Sequence, residues 1–153
     1  MTDGGKPVVV GETNPYGDNP YYAMYPWPDG SAGHRLCSLV LRVPRLRYLD
    51  YFDRVNLCRG KWSVVEARKI VSELLSVPDR RLVLCGSKVS RAFGVPYEPY
   101  TVVSEKGCSL VVLPHPSGLC RLWNEPDSFD RARAAVLSVC PDLLVERSNL
   151  TEE

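Results

Sequence analysis

The sequence lacks net charge, close cysteine pairs and long apolar runs, and each absence removes a class of protein. Nineteen Lys and Arg residues against 18 Asp and Glu leave +1, so overall charge does not announce a nucleic-acid binder. The six cysteines, Cys37, Cys58, Cys85, Cys108, Cys120 and Cys140, form no CxxC pair and sit among apolar neighbours, which reads as reduced thiols in or near a core rather than a metal site or a disulfide frame. No apolar run approaches the ~20 residues of a membrane span, and Met1 to Lys6 lacks the basic-then-apolar order of an export signal, so a cytoplasmic protein without a membrane partner is expected. Low complexity is absent too. With 44% apolar and 24% charged residues over 153 positions, the chain suits one packed domain over 1–153, with its core at about 7–140.

Charge is uneven even though it cancels. Nine basic residues lie between Arg35 and Lys69 against three acidic ones, while acids collect from Asp142 to Glu153. Such asymmetry gives a neutral protein a positive face suited to phosphates, although a solvated helix surface explains the same pattern.

Elements alternate along the chain. Pro7 to Val10, Asp53 to Cys58, Arg81 to Cys85 and Ser109 to Leu113 are short β-branched or apolar runs of the kind that form buried strands. Helical spacing or caps fall between them: Ser31 to Val43, Arg45 to Tyr51, Ser63 to Ser76 with capping-box spacing to Glu66, Ser87 to Phe93 and Asp127 to Cys140. Tyr100 to Ser104 is a further extended piece. Strands separated by helices imply an α/β fold, a three-layer α/β/α sandwich around a central, mainly parallel four-stranded sheet. Ligands of such sheets bind at the carboxyl ends of the strands, which selects Gly11–Gly17, Asn56–Gly60, Gly86–Lys88 and Pro114–Trp123. Between Glu12 and Gly33, four prolines and five large aromatics forbid a long helix and predict an ordered loop.

Two of these loops are distinctive together. Gly11-Glu12-Thr13-Asn14-Pro15-Tyr16-Gly17 follows the first strand, and His115-Pro116-Ser117-Gly118-Leu119-Cys120-Arg121 follows the last. Singly, Asn-Pro and His-Pro are ordinary turn formers. As a pair, Asn14-Pro15-Tyr16 and His115-Pro116-Ser117-Gly118-Leu119 resemble the two motifs of the uracil-DNA glycosylase superfamily, nearest to its uracil and mismatch-specific thymine/uracil branches, over roughly Val8 to Cys140. One extra residue separates Gly11 from Asn14, so Glu12 also matches the glutamate of a sister branch's first motif.

The resemblance implies a monofunctional DNA glycosylase: cofactor- and metal-free hydrolysis of the N-glycosidic bond of uracil or a modified pyrimidine in DNA, by a monomer, leaving an abasic site. His115 would donate a hydrogen bond to the departing base where negative charge accumulates. Asn14 would hold the attacking water, and Glu12 is base, water ligand or loop anchor. Tyr16 would crowd the pyrimidine ring, Asn56 would read its edge, and Tyr22 is the expected stacking residue among Tyr21, Tyr22, Tyr25 and Trp27. Leu119 would fill the gap left by an extruded base, with Ser117, Gly118, Arg121 and Lys88 on the DNA backbone, joined by Arg35 or Arg59. No lysine lies in either motif, which argues against a Schiff-base lyase step. Two alternatives stay open: a non-catalytic relative that binds bases or nucleic acid, and an enzyme of free, modified pyrimidine nucleosides or nucleotides.

Overall fold

A computed structural model describes residues 5–145 except 15, 16 and 18. Three consecutive valines open the first strand, β1 (Val8–Gly11), and all are buried, because helices cover both faces of the sheet. The others are β2 (Asp53–Asn56), β3 (Arg81–Cys85), β4 (Thr101–Glu105) and β5 (Cys108–Leu113), in the order β2-β1-β3-β5-β4. The architecture is the expected α/β/α sandwich, with five strands in place of four. β1, β2, β3 and β5 run parallel, and β4 adds antiparallel to β5. Lys106 and Gly107, with φ of 52° and 82°, make the two-residue left-handed turn that joins β4 to β5, and this hairpin turns the expected extended piece into a fifth strand.

Side-chain alternation in the strands divides the core into two. Val9, Val83, Val111 and Leu113 face one layer, whereas Val8, Val10, Leu82, Leu84, Leu110 and Val112 face the other. The first layer holds α1 (Ala32–Arg35), which continues as a π-helical segment (Leu36–Leu41), together with α2 (Arg45–Tyr51) and α5 (Ser128–Val139). The second holds α3 (Val64–Leu75) and α4 (Ser87–Ala92). All six cysteines are free thiols; five are buried and Cys120 is half-buried. Among the described residues no helix is long and apolar enough to cross a membrane.

Helix caps follow the sequence, with one change of partner. Ser31 accepts from the His34 amide at 3.2 Å and Ser63 from the Glu66 amide at 3.3 Å. The Glu66 carboxylate does not return to Ser63. It accepts from the Arg59 amide at 3.0 Å, and the Ser63 amide donates to the Cys58 thiol at 3.3 Å, so Glu66 closes the loop after β2.

The long proline- and tyrosine-rich loop is pinned from three elements. Tyr48 of α2 donates to the Met24 carbonyl at 2.8 Å from a fully buried hydroxyl. Arg54 of β2 donates to the carbonyls of Tyr21 and Ala23 at 2.9 and 3.1 Å and lies under the rings of Tyr21 and Tyr25. Gly33 of α1 lies so close that a Cβ there would stand 2.2 Å from the Tyr25 carbonyl oxygen and 2.4 Å from the Met24 carbonyl carbon. Gly33→Ala therefore has to push loop and helix apart, with an expected loss of about 1–3 kcal/mol. Gly60→Ala, with open space at the Cβ, is the control. Denaturant unfolding of the two variants measures the difference, and equal midpoints would remove the close approach as a constraint.

Candidate active site

The strand order reverses at β1. The chain passes from β1 to β2 on one side and then crosses to β3 on the other, which opens a crevice beyond the carboxyl ends of β1 and β3. A cavity of about 740 Å³ occupies this place. Glu12 and Asn14 reach it from the end of β1, His115 and Ser117 from the end of β5, and Tyr22, Tyr25 and Trp27 from the long loop. The two motifs, a hundred residues apart, thus open into one space.

Local bonds hold each loop. The Cys58 amide donates to the Glu12 carbonyl at 3.0 Å just beyond the β1–β2 ladder, and Asn14 Nδ2 donates to the Asn19 carbonyl at 3.4 Å. On the other side, Trp123 Nε1 donates to the His115 carbonyl at 2.7 Å and Arg35 Nε to the Pro116 carbonyl at 2.9 Å. Trp123 stacks on Phe129 with ring centroids 5.2 Å apart. Ser117 Oγ accepts from the Leu119 amide at 3.1 Å and tightens the turn. Arg35 is thereby tied through Nε to the loop that carries His115.

Glu12 and His115 converge over Gly86, the residue after β3. A Cβ on Gly86 would lie 3.1 Å from Glu12 Oε2 and 3.3 Å from His115 Cβ, and its φ of 105° belongs to the region that favours glycine. Burial lowers the His115 pKa below its ordinary value, and the Glu12 carboxylate opposes that shift without overcoming it. The imidazole is therefore neutral at pH 7, with one N–H to donate. Beneath the pair, burial and the Glu12 charge push the Cys85 thiol up to about 12, which keeps it protonated and unreactive.

The remaining expected site residues fall in distinct places. Tyr22 lines the cavity at 45% exposure and packs edge-on against Tyr21 and Tyr25 at 5.2 and 5.0 Å. Tyr16 and the preceding Pro15 lie outside the described residues. Asn56 does not line the main cavity. It lines a smaller one of about 240 Å³ that meets the first at Asn14, and its Oδ1 is buried against Gly11 without a hydrogen-bond partner among the described residues. Leu119 is 92% exposed and so packs against neither Trp123 nor the core. Gly118 and Arg121 are exposed beside it, whereas Lys88 is exposed on α4 with its ammonium 5.8 Å from the Trp62 ring centroid.

Sequence reasoning missed Met24 and the Gly30–Gly33 stretch as parts of the wall. The run Gly30-Ser31-Ala32-Gly33 is the one signal, since four small residues at a helix start permit a close approach. Among the described residues no group of three or more His, Cys, Asp or Glu side chains is placed to hold a metal ion.

Two pH effects follow. His115 should titrate below about 6.5 in the folded protein. The unfolded chain then binds more protons in the interval, so the stability contributed by this residue is complete above 6.5 and declines as the pH falls towards the folded value. Glu12→Gln removes the one charge that raises the His115 pKa and should lower it further, as read from the imidazole proton shifts by NMR; a pKa unmoved or raised in this variant would separate the two side chains. Compared with known proteins, the chain matches no family model and no curated sequence.

Proposed function

We propose that the protein is a DNA glycosylase that hydrolyses the bond between a pyrimidine base and its deoxyribose, leaving an abasic site. The observation that carries this reading is the meeting of Glu12, Asn14 and His115 in one cavity at the switch point of the sheet. The motif likeness of the two loops to the uracil-DNA glycosylase superfamily points the same way.

Cleavage of this bond develops positive charge on the sugar and negative charge on the departing ring. Water, held through the Asn14 amide oxygen, attacks the anomeric carbon. The base nitrogen takes the electron pair of the breaking bond, and the water proton passes to the Glu12 carboxylate. The neutral His115 donates its N–H to a ring carbonyl oxygen, where the negative charge gathers. A donor fixed in place and partly withdrawn from water stabilises that charge more than solvent does. The carboxylate beside the site favours the cationic sugar for the same electrostatic reason.

DNA is favoured over a free nucleoside by Leu119. It stands 92% exposed on the loop that carries His115, a place that suits the gap an extruded base leaves in a duplex. Arg121 beside it suits a phosphate.

Oligonucleotides carrying uracil, a thymine mismatch or modified pyrimidines, followed by alkali cleavage of abasic sites, test the reading. His115→Ala should lower the rate by about a hundredfold and Asn14→Ala by at least about tenfold. Leu119→Ala should reduce release from duplex more than from single strands. Wild-type rates in both cavity variants would refute the assignment, and equal effects of Leu119→Ala on both substrates would remove the wedge.

A further inference from the structure

We infer that the outer face of the layer formed by α3 and α4 is a second contact with DNA, whose cations hold the sugar-phosphate backbone of one duplex arm beside the extruded nucleotide. The inference rests on the excision reading above for its ligand and adds the surface that receives it.

The pairing of charges is the first ground. In the layer of α1, α2 and α5, arginines are neutralised: Arg42 pairs with Asp130, Arg45 with Asp29 and Arg47 with Asp50. In the layer of α3 and α4, Arg59, Lys61, Arg68, Lys69, Lys88 and Arg91 are all exposed, and none forms an ion pair among the described residues. Over residues 57–70 and 86–91 the one acid is Glu66, whose carboxylate accepts from the Arg59 amide. A merely solvated helix surface gains from opposite charges three or four residues apart. Lys69 and Glu73 have that spacing, yet they form no ion pair.

Place is the second. A helix that joins two parallel strands runs back against them, so α3, between β2 and β3, begins at the carboxyl edge of the sheet. α4 follows β3 and begins there too, and the cavity opens at the same edge. Arg68 and Lys69 are the fifth and sixth residues of α3, and Arg91 is the fifth of α4. At ~1.5 Å of rise per residue they stand within about 8 Å of that edge. Arg59 and Lys61 lie in the loop before α3, and Lys88 lies in the first turn of α4 against the Trp62 ring. Because α3 packs on α4, these cations share one patch.

The spacing of the charges suits a backbone. Packed helix axes lie ~8–10 Å apart, and each strand of a duplex carries one charge per ~3.4 Å of its axis, so the patch meets about three phosphates. Contacts of this kind position a duplex without reading its sequence. A helix layer is ~10–12 Å thick, a distance that about three to four base pairs cover.

Fluorescence anisotropy tests this without catalysis, on a labelled duplex with a tetrahydrofuran abasic analogue in place of the target nucleotide. Lys61→Gln, Lys69→Gln and Arg91→Gln combined should weaken binding at least about tenfold at about 0.1 M salt and lower the slope of log K against log salt by about 2 to 3. Lys106→Gln, exposed in the turn at the opposite edge of the sheet, should change neither. Cutting the arm on one side of the analogue from about ten to about two base pairs should weaken the wild-type protein and spare the triple variant, whereas cutting the other arm should affect both proteins alike. A slope unchanged in the triple variant, or an arm effect that persists in it, would overturn the inference, and base release by the wild-type protein would leave the excision reading intact. A slope lowered as expected, with no release from any oligonucleotide, would uphold the surface and overturn excision. Val65, 82% exposed on α3, reports on the other kind of occupant. Val65→Ser should leave duplex affinity within about twofold, and a loss as large as that of the triple variant would mark an apolar docking face and overturn the inference. Neither duplex binding nor release would overturn both.

Discussion

Parallel pairing of β1 with both β2 and β3 is the constraint on which the rest depends. Parallel strands send all their carboxyl ends to one edge of the sheet, and the reversal of order at β1 parts the connecting segments there. Glu12, Gly86 and His115 each stand one or two residues beyond a strand end, so the ladder fixes their separation before any side-chain bond forms. The Gly86 amide, donating to the Leu113 carbonyl at 2.9 Å, carries that registry into the loops themselves.

Upon this frame the electrostatics of the site are a contest between burial and charge. His115 is driven towards its neutral form by desolvation, while the carboxylate of Glu12 pulls against it. Burial prevails, and the imidazole keeps one N–H to donate without carrying a full charge into the cavity. Gly86 permits the arrangement, because any Cβ would enter the space between carboxylate and imidazole.

The aromatic loop contributes shape instead of charge. Its rings pack edge-on and tilted, with centroids 5.0 to 5.4 Å apart, and form a wall that is braced from behind by Arg54. Ala23 and Met24 are buried beneath it, so the loop is joined to the core. That attachment explains how a loop with only one short 3-10 turn, Pro20–Tyr22, among its described residues can present a fixed surface.

Local pattern was enough to place the four parallel strands, the five helices and the two polar loops, because β-branched runs, caps and helical spacing act over a few residues at a time. Val8–Gly11, Ser63 with Val64–Leu75 and the loop at His115 are examples. Tyr100 to Ser104 was legible as extended but not as a strand of the sheet, because a half-exposed edge strand of alternating character, joined by Lys106-Gly107, is fixed by pairing with β5 and not by its own apolar content. Tertiary structure alone decided that Asn56 faces a separate small cavity, that Arg35 Nε bonds the Pro116 carbonyl, and that Met24 and Gly33 help to bound the main one. These depend on which distant atoms approach within a few ångströms, and such distances follow from the packing of whole layers, to which no short stretch of sequence is sensitive.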